Sequence, residues 1–210
     1  MNSGQAPAAR ISTASDIDAI VAAMTTAFFD DPLWGPVFPD RARRSQQAAA
    51  MWRLFITSAQ RYPWMLVTSD VSAAALWIPP GGSDLSEHEE HAFDKFLVEL
   101  CGQDVADGIS AVFEVFEQNH PREPHFYLSL LATHRDHRGK GVGMGLLRES
   151  LARIDAIGSA AYLESCNPVN NDRYRGVGFE DHGHFVVPSG HIVTTMWRPP
   201  QLVISPPTAA

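Results

Sequence analysis

Apolar residues recur at helical spacing near the start of the chain, with Ile17, Ile20, Val21 and Met24 on one face and Ser15 and Asp16 in capping position. Ile11, just before them, reads as part of an edge strand. Residues 28–39 form a loop rich in proline and aromatic side chains. Asp40 is placed to cap a second helix that runs to about Tyr62 and stops before Pro63. Two apolar runs, 65–68 and 73–78, flank Ser69-Asp70-Val71-Ser72 and predict an antiparallel hairpin, closed by Pro79-Pro80-Gly81-Gly82. Helical patterns follow over 86–100 and 105–119. A long apolar run over 125–133 reads as a buried strand, and an amphipathic segment over 142–157 as a helix. A short strand at Tyr162, a short helix, and last strands near 184–187 and 192–197 complete the series. This order predicts an α/β fold, a mixed sheet with helices on both faces. With neither an internal repeat nor a long linker, residues 1–200 are expected to form a single domain. The Pro- and Ala-rich segment 201–210 is expected to be disordered.

Between the long strand and its following helix lies Arg138-Gly139-Lys140-Gly141-Val142-Gly143-Met144-Gly145. A strand, a glycine-rich turn and a helix N-terminus make a place for a phosphate. The free first-turn N–H groups point outward, the helix dipole favours an anion, and glycine lets the anion reach the backbone. A Walker-type loop is excluded because Gly141, not Ser or Thr, follows Lys140. A dinucleotide fingerprint is excluded because the sixth position is Met144 counted from Gly139, and Leu146 counted from Gly141. The remaining pattern is Arg-x-x-Gly-x-Gly, carried by Arg138, Gly141 and Gly143.

Some twenty residues further on come Leu163-Glu164, Pro168-x-Asn170, Tyr174 and Gly178-Phe179. Together with the glycine loop, this series resembles the GCN5-related N-acetyltransferase (GNAT) superfamily, closest in pattern to its puromycin N-acetyltransferase-like members. Glu123-Pro124, Asp31-Pro32 and Pro39-Asp40 resemble the same group. The match is strong over 123–197; the first 120 residues match only in layout. Two departures stand out. Arg135 occupies a position where the family often has Pro, and Gly176 interrupts the short helix after Tyr174.

The resemblance implies a mostly antiparallel mixed sheet in which the strands at 125–133 and 161–166 are parallel neighbours that splay apart, with a bulge in the first. It implies acetyl-CoA as co-substrate and no metal. Leu131, Ala132 and Thr133 would meet the pantetheine arm, and Arg138, Gly139, Lys140, Gly141, Val142, Gly143 and Met144 the pyrophosphate. Asn170, or its neighbour Asn171, would add a further coenzyme contact. The implied reaction is acetyl transfer to the primary amine of a small molecule by direct attack. It needs a base for the amine proton, a donor for the oxyanion, and an acid for the departing thiolate. Tyr174 holds the family's position for the acid, and the backbone N–H of Leu131 is a candidate oxyanion donor. Glu164 is the first candidate base, its alternative being an ion pair with Arg138 or Arg175; Glu123 and His125 are weaker candidates. Two other readings stay open: an acyl-CoA-binding sensor without turnover, and a protein or peptide N-acetyltransferase.

Composition narrows the partners. The formal net charge of −8 argues against general nucleic-acid binding and suits a cationic substrate. Against that background His134, Arg135, His137, Arg138, Lys140 and Arg148 gather positive charge at the glycine loop. No apolar run reaches the ~20 residues of a membrane span, and residues 1–10 lack a signal-peptide core. Two cysteines, Cys101 and Cys166, make no disulfide framework, so the cytoplasm is the expected location. His88-Glu89-Glu90-His91 lacks zinc-helix spacing. Asp30 and Asp31 border the expected amine pocket. Trp34, Phe38, Trp52, Phe55 and Trp77 are either pocket lining or, at their helical and strand spacing, core. Oligomeric state is not encoded in these patterns, although similar proteins often form homodimers.

Overall fold

The computed structural model describes residues 9–201; most of the expected tail lies outside the described residues. Seven strands form one sheet: β1 (Ala9–Ile11), β2 (Met65–Thr68), β3 (Ala73–Ile78), β4 (Phe126–Thr133), β5 (Ala161–Ser165), β6 (Glu180–Val186) and β7 (Ile192–Arg198). Their spatial order is β1-β2-β3-β4-β5-β7-β6, and every neighbouring pair is antiparallel except β4 with β5. The helices are α1 (Ile17–Phe28), α2 (Trp34–Val37), α3 (Arg41–Ala59), α4 (Glu87–Cys101), α5 (Gln103–Asn119), α6 (Val142–Asp155) and α7 (Asn171–Arg175). None of the described helices is long and apolar enough to cross a membrane.

The sheet divides two cores. On one face α1, α3, α4 and α5 pack against Val67, Leu76, Leu130, Ala132 and Val193. On the other, α6 covers Ala73, Ala75, Trp77, Leu128 and Leu163. Leu128 and Leu130 would share a face in a regular strand, where side chains two apart point the same way. They separate because β4 carries a bulge: Leu76 pairs with Leu130 and Trp77 with Leu128, leaving Ser129 extra. The bulge thus turns the second half of β4 over.

Three boundaries differ from the pattern, each for a local reason. The α3 helix ends at Ala59, and residues 60–62 continue as tight turns whose N–H groups reach back three residues, to Thr57, Ser58 and Ala59. The break between α4 and α5 shrinks to Gly102, whose φ of 84° reverses the chain in one residue. Strand β6 begins at Glu180 because backbone pairing with β7 extends through residues whose exposed side chains give no apolar alternation.

Candidate active site

Strands β4 and β5 pair only at Phe126–Ala161 and Tyr127–Tyr162. Beyond that point they part, and β4 from Leu128 onward has no strand partner on its β5 side. The opening is a crevice at the C-terminal ends of two parallel strands, where α/β sheets commonly bind ligands. A cavity of about 570 Å³ runs from it to the start of α6, and a smaller one of about 70 Å³ lies in the crevice. The larger is lined by Leu131, Ala132, Thr133, Arg138, Gly139, Gly141, Val142, Gly143, Met144, Asn170 and Tyr174, all singled out by sequence. Glu164 lines the smaller, together with Leu131, Asn170 and Tyr174.

At the end of the larger cavity Gly141 caps α6 in the left-handed region, with φ of 73°, and Gly139 has φ of 76°. This conformation suits glycine, and it leaves the first-turn N–H groups of a 14-residue helix open to the cavity. Arg138 lines the same cavity, and its guanidinium donates to the carbonyl of Ala27 at 2.6 Å, tying the loop to the end of α1. Arg173 adds positive charge to the lining, which also includes His137. Lys140 is not among the lining residues, and its Nζ donates to the Asp136 carbonyl at 3.1 Å. Such a wall could hold a pyrophosphate through backbone donors and Arg138.

Tyr174 reaches the junction of the two cavities. Its helix is anchored by Asn171, whose side chain donates to Thr194 on β7 at 3.1 Å. Despite Gly176, α7 continues into a turn in which the Tyr174 carbonyl accepts from Val177 and Phe179. Gly178 there has φ of 93°, and a Cβ would lie 3.1 Å from the Arg198 guanidinium, so this turn requires glycine. Burial holds the Tyr174 hydroxyl well above its usual pKa, with Cys166 and Asp31 adding to the rise. The hydroxyl therefore keeps its proton, as an acid needs.

Glu164 meets neither Arg138 nor Arg175. Arg175 is paired with Asp172 and Asp181, whereas Glu164 accepts the hydroxyls of Tyr127 at 2.6 Å and Tyr162 at 3.1 Å. Cys166 stays a thiol, since burial pushes its pKa well up and Asp31 and Glu164 push the same way. Asp31 lines both cavities and accepts from the backbone N–H groups of Leu33 and Trp34 at 3.0 Å. Burial raises its pKa against those two bonds and against the nearby Arg138 guanidinium. Asp30, also expected at this border, lines the larger cavity and pairs with Arg41.

Of the five aromatics considered for the pocket, only Trp34 lines the crevice. Phe38, Trp52, Phe55 and Trp77 are buried core. Trp34 packs edge-on to Trp52 at 5.3 Å, so the pocket wall is fixed by the core behind it. Sequence reasoning missed Tyr127, Tyr162, His120, Asp84 and Ser129, which converge behind Glu164. Tyr162 stands two residues before Glu164 on β5, a spacing that puts both on one face; the others come from distant parts of the chain, and no local spacing joins them to Glu164. Among the described residues no group of three or more His, Cys, Asp or Glu is placed to hold a metal ion.

Known proteins agree with this architecture. A family model described as "Acetyltransferase (GNAT) family" matches residues 65–179. A solved structure titled histone acetyltransferase HPA2 and related acetyltransferase, from Corynebacterium glutamicum, is 27% identical with a TM-score of 0.71, covering 96% of this chain and 100% of that one. Arylalkylamine N-acetyltransferase 2 from Aedes aegypti is 14% identical with a TM-score of 0.64, covering 94% of this chain and 100% of that one. A mutant of agmatine N-acetyltransferase is 13% identical with a TM-score of 0.55, covering 93% and 100%. The last two share the fold. The family match spans more than half of the 210 residues, from the β2–β3 hairpin through the glycine loop to Phe179, and the chain belongs to the GNAT family of acetyltransferases.

Proposed function

We propose that this protein is an N-acetyltransferase that moves the acetyl group of acetyl-CoA to the primary amine of a small molecule by direct attack. The observation that carries the reading is the meeting of Tyr174 and Glu164 at one crevice whose other end is the glycine loop. In this reading the pyrophosphate lies on the N-terminus of α6 beside Arg138, and the pantetheine arm runs along Leu131, Ala132 and Thr133. The amine attacks the thioester carbon, Glu164 takes the amine proton, and Tyr174 protonates the leaving sulfur. A backbone N–H on the unpaired side of β4, that of Leu131 in this reading, stabilises the oxyanion.

Three features favour a small amine. The crevice is narrow, about 70 Å³, and is walled by Phe28 and Trp34. Carboxylates at Asp31 and Glu164 suit a cationic group. Structural neighbours include enzymes named for arylalkylamines and agmatine. The puromycin-like pattern at Leu163-Glu164, Asn170 and Tyr174 belongs to this reading as a resemblance in the coenzyme half, without naming the acceptor. Residues 1–200 act as one domain, and the unpaired Cys101 and Cys166 suit a reducing cytoplasm.

Calorimetric titration with acetyl-CoA, followed by thiol release against a panel of arylalkylamines, diamines and aminonucleosides, tests the proposal. Binding with amine-dependent release is expected. Binding with release only in the presence of a peptide amine would favour protein acetylation, and binding without release under either condition would favour a sensor.

A further inference from the structure

A line of polar side chains leaves the crevice floor behind Glu164. The Glu164 side chain is only 2% exposed, and Oε1 and Oε2 accept Tyr162 and Tyr127 respectively. Just past the end of α5 stands His120, with Nδ1 3.5 Å from Glu164 Oε1. The Nε2 of His120 lies 3.1 Å from the Nε2 of His125, and the Nδ1 of His125 lies 2.6 Å from the Glu123 carbonyl. Asp84, on the loop after β3, faces the same cluster, with Arg61 beyond it.

These contacts place the hydrogens in sequence. A carbonyl only accepts, so Nδ1 of His125 carries a hydrogen. Burial lowers the pKa of His125, which keeps that ring neutral and its Nε2 bare. The bare Nε2 accepts, so Nε2 of His120 carries a hydrogen. A neutral His120 would then turn the lone pair of Nδ1 toward a carboxylate oxygen, two acceptors face to face. A second hydrogen on His120 removes the conflict. The two phenol donors already on Glu164 favour its charged form.

We propose that His120 is an imidazolium paired with the Glu164 carboxylate, and that the two hold one proton between them as a single acid–base unit. His120 is the positioning residue of this unit and, with a side chain 34% exposed, its outlet to solvent. The inference rests on reading Glu164 as the base. In turnover His120 gives its Nδ1 proton to water. Glu164 then takes one proton from the amine nitrogen as the C–N bond forms, and passes it to Nδ1 of His120, restoring the one-proton pair. The C–S bond breaks with its electron pair on sulfur, which takes the Tyr174 proton; Tyr174 recovers a proton from water.

The test is a two-bond proton–nitrogen correlation spectrum of the whole protein, labelled with nitrogen-15 at histidine, at neutral pH without ligand. His120→Asn assigns the His120 signals by their loss. The expected wild-type pattern is two protonated nitrogens on His120 and a neutral, Nδ1-protonated His125. In Glu164→Gln, His120 should change to the neutral, Nε2-protonated pattern. A neutral His120 in the wild type, in either tautomer, overturns the proposal, and that spectrum decides even if the variant does not fold. An imidazolium signature unchanged in Glu164→Gln overturns it as well. Expected spectra combined with undiminished amine-dependent thiol release in Glu164→Gln would leave the proton pair standing and remove only the reading of Glu164 as base.

Discussion

Thr133, the last residue of β4, and Gly143, in the first turn of α6, approach so closely that a Cβ on residue 143 would collide with the Thr133 hydroxyl. Both residues line the larger cavity, so the contact holds the strand end and the helix N-terminus at the separation that shapes it. Gly143→Ala should destabilise the fold by ~1–3 kcal/mol, the usual cost of overpacking. Adding Thr133→Ala removes the hydroxyl, and the next atom, Thr133 Cβ, lies 3.8 Å from the new methyl position. Denaturant unfolding should therefore show the double variant to be more stable than Gly143→Ala alone. Equal losses would contradict the contact's role.

Arg138→Ala should weaken acetyl-CoA binding ~10–100-fold, from the ~1.5–3 kcal/mol of a charge-assisted hydrogen bond. Lys140→Ala should leave the affinity nearly unchanged, because its ammonium turns toward Asp136 and away from the cavity. Calorimetry on the two variants separates them, and a larger loss at Lys140 would reverse the assignment.

Tyr174→Phe removes the acid while keeping the packed ring. Turnover should fall ~10²–10⁴-fold, the typical range for a general acid, with coenzyme affinity retained. Steady-state rates and a parallel calorimetric titration check both halves of this expectation. Undiminished turnover would assign the leaving-group proton elsewhere.

Asp84 carries a pH signature. Burial raises its pKa to about 6 despite a hydrogen bond to Ser129, and one carboxylate oxygen has no partner. An unfolded aspartate titrates near ~3.9. Between these values the folded chain holds a proton that the unfolded chain lacks, so stability falls as pH rises through this window. Asp84→Asn should therefore stabilise the protein by ~1–3 kcal/mol at mildly alkaline pH. The advantage should vanish near pH ~4, below which both forms of the wild type are protonated. Unfolding curves across this range would show the crossover; a pH-independent difference would contradict the burial cost.

What the sequence made legible follows how local each signal is. The glycine loop, Tyr174 and Asn170 lie within or just after a strand–turn–helix series, and the structure brings them to one cavity. The order of elements could be read for the same reason, whereas the splayed parallel pair is implied only by the family resemblance. The partner of Glu164 on the neighbouring strand could not: Tyr127 lies 37 positions earlier, and the two meet only because β4 and β5 are neighbours. Nor does composition reveal that Phe38, Trp52 and Phe55 fill a core while Trp34 reaches the crevice. That choice depends on how α2 and α3 pack together. The direction of the Lys140 side chain, whose Nζ donates to the Asp136 carbonyl, is likewise not written in the loop's pattern.

The most direct test of the central claim is the mass of the amine after incubation with acetyl-CoA and the whole protein. The account predicts a gain of one acetyl group on a small primary amine, one thiol released for each amine modified, and loss of both in Tyr174→Phe. Tight acetyl-CoA binding with no acetylated amine across arylalkylamines, diamines and aminonucleosides, or equal transfer by Tyr174→Phe, would contradict it.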